Sequence, residues 1–232
     1  MAAYTTIDNP ELYFQAKTYT GNGTAIGSGG QAITLDGSEN MQPDLVWIKN
    51  RSATGNHIIT DAVRGVQLMM MSDNTDAETN QTQGLTSFNS NGFTVGSLAE
   101  VNTSSNNFVS WNWKKVAGVF DIQTYTGNGN ADGTFIYTGF LPSFVMVKRT
   151  SGTGSWWMRD NKIAPFNLAS NVLQANDTGV QADGVGTMDF LSNGFKLRDT
   201  TDASNTSGGT YIYMAFAEQP FVTSTGVPAT AR

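Results

Sequence analysis

Apolar residues along this chain gather in short runs separated by segments rich in Gly, Ser, Thr and Asn. Leu45-Val46-Trp47-Ile48 and Phe144-Val145-Met146-Val147 are near-continuous apolar runs, the pattern of a central strand covered on both faces. Pro43 and Pro142 precede them, Lys49 and Lys148 follow, and Pro is tolerated where a strand begins. FVSWNW at 108–113 and YIYMAF at 211–216 predict aromatic-rich strands. SNGF at 90–93 and 192–195 places Asn-Gly between short apolar runs, a strong hairpin signal. Helical pattern is scarce. Residues 8–14 read as a short helix capped by Asp8 or Asn9 with Pro10 in its first turn, and Val66-Gln67-Leu68-Met69 reads as strand.

The motifs recur in order. YTGNG lies at 19–23 and 125–129, QPDLVWIKN at 42–50 is echoed by LPSFVMVKR at 141–149, and the SNGF and aromatic segments follow in both halves. The offsets of 106, 99, 102 and 103 residues stay close to one another, which marks a tandem duplication. The expected organisation is an N-terminal arm at 1–17, one unit at 18–116, a linker at 117–122, a second unit at 123–218 and a tail at 219–232. The fold class is all-β with little helix: two small antiparallel β-sandwiches of six to eight strands each, jelly-roll or concanavalin/laminin-G-like.

Composition narrows the chemistry. With no Cys and one His among 232 residues, disulfides, thiolate sites and paired-His metal sites are excluded. A formal net charge of −6 argues against nucleic-acid backbone binding. No apolar run approaches the length of a membrane helix, and the N-terminus carries no secretory signal pattern. No cofactor, metal or catalytic residue is expected.

The candidate contacts are His57, Asp61 and Arg64 in the first unit and Trp156, Trp157, Arg159 and Asp160 in the second. His57 aligns with Trp156, so the imidazole is not repeated and reads as surface or pocket variation rather than as a general base. Asp61 and Asp160 align as loop acids that bond nearby backbone N–H groups or pair with Arg64 and Arg159. Trp156 and Trp157 cannot both point inward from one strand, which sends one to a core and the other to a surface or an interface; sugar stacking is the rival use. Of Trp47, Trp111 and Trp113, at least two are expected in the core. The acidic segments at 73–78 and 199–202 have oxygen ligands of the Ca²⁺ type but lack calcium-loop spacing, and read as solvated turns. Met69-Met70-Met71 reads as packing filler. Tyr4, Tyr13, Phe14 and Phe221 are candidates for docking the termini.

Together YTGNG, QPDLVWIKNRSATGNHIITDAVRG, SFNSNGFTVG and FVSWNWK resemble a family of repeat-built virion proteins of tailed bacteriophages, of the aquatic and cyanophage type, often labelled tail-fibre or structural proteins. The block at 43–65 is its most specific element, and the second unit keeps only Asp160 of the DAVRG part. The resemblance implies a lectin-like β-sandwich on the virion surface without enzymatic activity. The chain lacks heptads and a Gly-X-Y period for a fibre shaft, which favours capsid decoration over a tail fibre. The expected partners are other virion proteins and further copies of the chain, with a trimer favoured; host-surface glycan is the alternative partner.

Overall fold

The computed structural model describes residues 9–217, so Tyr4 and Phe221 lie outside the described residues. The chain enters through a single 3-10 turn at Pro10–Leu12, where the Asn9 side chain accepts the Glu11 backbone N–H. The first unit then runs β1 (Phe14–Thr20), β2 (Gln31–Thr34), β3 (Leu45–Asn50), β4 (His57–Asp61), β5 (Leu68–Met71), β6 (Thr79–Asn80), β7 (Leu85–Asn89), β8 (Gly92–Val95), a one-turn helix α1 (Ala99–Asn102) and β9 (Asn107–Trp113). The second unit runs β10 (Phe120–Thr126), β11 (Phe135–Tyr137), β12 (Pro142–Arg149), β13 (Trp157–Asp160), β14 (Leu173–Gln174), β15 (Met188–Leu191), β16 (Gly194–Leu197) and β17 (Thr210–Ala217).

Each unit is an antiparallel sandwich of one large and one small sheet. The first has the order β1-β9-β3-β4-β5-β6 against β2-β8-β7; the second has β10-β17-β12-β13-β14 against β11-β16-β15. Apart from β6, each strand of the first unit has a counterpart in the second, in the same sheet order, as the duplication requires. Nine strands in the first unit exceed the expected six to eight because β6 pairs with β5 as a short flap. β5 begins at Leu68, two residues later than the apolar pattern suggests, because Gln67 takes φ 68° in the preceding turn. β1 begins within the expected arm and β10 within the expected linker: Phe14 pairs with Trp113 and Phe120 with Phe216.

The continuous apolar runs find their explanation in a third core. Val46 and Ile48 of β3 point into the first sandwich with Phe93, Val95 and Phe108, and Val145 and Val147 of β12 point into the second with Phe195, Leu197 and Tyr213. The alternate residues Leu45 and Trp47, and Phe144 and Met146, point the other way, into a cluster shared by both units. The two large sheets therefore pack against each other by their outer faces, and the molecule is four sheets deep. Alternation along a strand sends successive side chains to opposite faces, so a strand between two cores must be apolar throughout.

Candidate functional site: the seam between the units

The seam is built from β3, β4 and β5 of the first unit against β10, β17, β12 and β13 of the second. Leu45, Ile59 and Met70 meet Phe120, Ile122, Met146, Trp156, Ile212 and Met214, all buried. Hydrogen bonds join the β5–β6 flap to the second unit. Trp156 Nε1 donates to the Met71 carbonyl oxygen at 2.7 Å, the Gly154 N–H to that of Thr75 at 2.9 Å, and the Glu78 N–H to that of Thr150 at 3.1 Å. Lys148 Nζ donates to the Arg149 carbonyl at 2.8 Å and to the Thr75 carbonyl at 3.4 Å. Burial pulls the Lys148 ammonium down to about 8, against the pull of Asp76 in the other direction.

The sequence candidates divide between this seam and the sandwiches. Trp156 is fully buried in the seam, and Trp157 turns to the other face, packed with Val172 and Ala203. Asp61 is both of the things expected of it: its Oδ1 accepts the backbone N–H groups of Val63 and Arg64, and its Oδ2 accepts Arg64 Nε at 2.6 Å. Arg64 Nη1 reaches Glu78 at 2.9 Å, tying the turn after β4 to the flap. Asp160 instead accepts the Lys162 backbone N–H and stands apart from Arg159 in function. The Arg159 guanidinium is fully buried over the Trp157 ring at 5.1 Å, with Asp199 Oδ2 at 3.9 Å and no hydrogen-bond partner among the described residues. A cleft of about 510 Å³ opens beside Trp157, Gln174, Thr201 and Asp202.

His57 stays at the first unit's outer face, edge-on to Trp47. Partial burial and the Lys49 charge lower its pKa, and Asp73 opposes them. Trp47, Trp111 and Trp113 correct the expectation of core tryptophans: all three are half-buried on this outer face, with Trp47 and Trp113 at the edge of the seam. Phe14 leans on Trp113 with ring centroids 5.0 Å apart and is 40% exposed; Tyr13 is half-buried beside it, ending the 3-10 turn. The loop 73–78 is an Asx turn, Asn74 Oδ1 accepting the Asp76 N–H, and no group of three acidic or His side chains placed for a metal occurs among the described residues.

One repeated pair lies outside the shared motifs. Asn102 Oδ1 accepts the Asn22 N–H at 2.9 Å, and its amide donates to the Gly96 carbonyl at 2.8 Å. Asn205 does the same for Asn128 at 3.0 Å and donates to the Asp199 and Asn130 carbonyls. These buried amides clamp the two GNG loops. A Cβ on Gly21 or Gly127 would fall 2.4 Å from the Thr103 or Thr206 carbonyl, so close approach explains the first Gly of each motif. The shared offset of 103 residues between Asn102 and Asn205 was the available signal.

No curated protein and no solved structure matches the chain. Residues 9–123 and 115–220 each match the family described as a domain of unknown function, DUF7483. The shared stretch 115–123 holds the junction and the start of β10, which fits a domain whose first strand follows directly on the last strand of its neighbour. The chain belongs to the DUF7483 family and carries two copies of its domain.

Proposed function

We propose that this protein is a structural component of a tailed-bacteriophage particle, a decoration or head-accessory protein that acts at the virion surface by packing against neighbours. The observation that carries the reading is the unequal covering of two equivalent sheet faces. Phe120 and Ile122 of β10 are buried by the first unit, while their counterparts Phe14 and Ala16 of β1 are exposed. A face built to be covered by protein in one copy, left with an aromatic strip in the other, suits attachment to a further subunit. The sequence resemblance to repeat-built virion proteins supports the same role. No catalytic step is part of it. Mass spectrometry of purified particles, followed by labelling to locate the protein on the capsid or the tail, tests the reading; absence from intact particles overturns it.

A receptor-binding role toward host-surface glycans has one observation in its favour, the cleft beside Trp157 with Gln174, Thr201 and Asp202 at its wall. Amide, hydroxyl and carboxylate groups beside the edge of a buried aromatic ring are the composition that hydrogen-bonds sugar hydroxyls. Binding on a host-glycan array, lost in Gln174→Ala and Asp202→Ala, supports the adhesin; a blank array removes it.

A further inference from the structure

The seam inside the chain is a heterologous contact, in which one unit offers a plug and the other a socket. The plug is the β5–β6 flap, whose Met71 and Thr75 carbonyls and Glu78 N–H enter the second unit. The socket is the corner of the second unit formed by Lys148, Thr150, Gly154 and Trp156. Were the contact two-fold symmetric, the second unit's own flap would fill the same corner of the first. It does not: no hydrogen bond joins the two among the described residues.

The hydrogen-bonding groups of both halves of a second such contact are nevertheless present, and among the described residues none of them bonds across the seam. The free socket is the first unit's Lys49, Arg51, Gly55 and His57 corner, which lies at the same place on β3 and β4 as the filled one on β12 and β13. Lys49 Nζ, the counterpart of Lys148, turns back to the Gly55 carbonyl at 2.5 Å. The free plug is the second unit's flap, 171–182. It repeats the first flap bond for bond: Ala175 N–H to the Trp156 carbonyl matches Ser72 N–H to that of His57, Asn176 Oδ1 accepts the Trp156 N–H as Asp73 accepts that of His57, and Asp177 closes the Asx turn as Asn74 does. The Val172–Ala182 bridge stands where Met69 pairs with Thr79. Two of its apolar positions are bare. Leu173 is 37% exposed where Met70 is 1% exposed, and Val180, in the place of Ala77, is 95% exposed.

We propose that the free plug of one copy docks into the free socket of a second copy, continuing head to tail the contact already made within the chain. Each bond of the internal seam has its counterpart. The Gly55 N–H and Lys49 Nζ donate to the Thr178 carbonyl, the Gln181 N–H to the Arg51 carbonyl, and the imidazole N–H of His57 to the Gln174 carbonyl in place of the Trp156 indole. Three of these four use backbone on both sides or a retained lysine, so the divergence of the units has left the pairing chemistry in place. Heterologous contacts close into rings or run on as filaments. The inference concerns the purified protein and stands independently of a place on the virion.

Complementation tests it. Wild-type protein in sedimentation velocity forms species larger than the 24.9 kDa monomer as concentration rises. Leu173→Glu/Val180→Glu, at exposed positions, removes the plug; Gly55→Arg, where a Cβ meets no atom within 4 Å, blocks the socket. Each variant alone is monomeric, and their mixture gives a dimer and nothing larger, because one intact plug and one intact socket remain. In a Gly55→Cys/Thr178→Cys chain, which has no other cysteine, oxidation links copies in series. A wild-type monomer at every concentration, oligomers that survive both variants, or a mixture that stays monomeric would each overturn the proposal.

Discussion

Replacing Trp156 by alanine probes whether the seam is a core in its own right. The side chain is fully buried among Met146, Ile212 and Ile59, and its Nε1–H satisfies the Met71 carbonyl across the seam. Truncation of a buried tryptophan costs about 3–5 kcal/mol, and an unpaired carbonyl adds about 1 kcal/mol or more. A loss of about 5 kcal/mol is therefore expected for Trp156→Ala, set by these two terms together. Trp156→Phe keeps one aromatic ring but loses the N–H and part of the buried indole volume, for about 2–3 kcal/mol. The equivalent change in the first unit, His57→Ala, touches a half-exposed ring and costs about 1 kcal/mol or less. The assay is urea unfolding followed by far-UV circular dichroism, since five tryptophans share the fluorescence signal. Because the seam joins the sandwiches, the wild type unfolds in one transition and Trp156→Ala separates it into two or moves it far to lower urea. Equal, small losses in Trp156→Ala and His57→Ala would refute the idea that the outer sheet faces form a core.

Other outcomes follow from the same geometry. Arg64→Ala leaves the buried Asp61 carboxylate without its partner and is expected to cost about 3–5 kcal/mol, read by the urea midpoint. Asn102→Ala and Asn205→Ala each leave loop N–H groups unpaired, for about 2–3 kcal/mol, and speed hydrogen exchange at Asn22 and Asn128 respectively. Lys148 has a folded pKa depressed to about 8 from an ordinary 10.5, so between those values the unfolded chain binds more protons than the folded one and stability rises with pH. Measured against Lys148→Met, which lacks this ionisation, the wild type gains stability as pH rises from about 8 toward 10.5; a flat difference contradicts the burial of the ammonium in the seam.

The duplication and the all-β class were legible because turn chemistry and strand alternation are local. SNGF closes the β7–β8 and β15–β16 hairpins as its Asn-Gly demands. The seam was not legible, although Leu45-Val46-Trp47-Ile48 held its trace: an apolar run shows that both faces are covered without showing what covers the second. Trp111 and Trp113 misled for the same reason, since an aromatic on a sheet's outer face and one in its core share a sequence pattern. Arg159 gave no sign of its burial, because the Trp157 ring and Asp199 that receive it come from alternation on β13 and from a loop 40 residues away. The Asn clamps were hidden by lying outside every strand motif, each acting across about 80 residues on its GNG loop.

The claim on which the account turns is that the first unit's outer face, with Phe14, Trp47 and Lys49, is a protein-packing surface on an assembled particle. Amine labelling of intact virions and of the free protein, read by mass spectrometry at Lys49 and at the exposed Lys114 as reference, measures it directly. On this reading the protein is found in the particles, and Lys49 is protected there relative to the dilute, monomeric protein, in which Lys49 and Lys114 both label. Absence from the particles, or a Lys49 as reactive in the particle as in free solution, would contradict it.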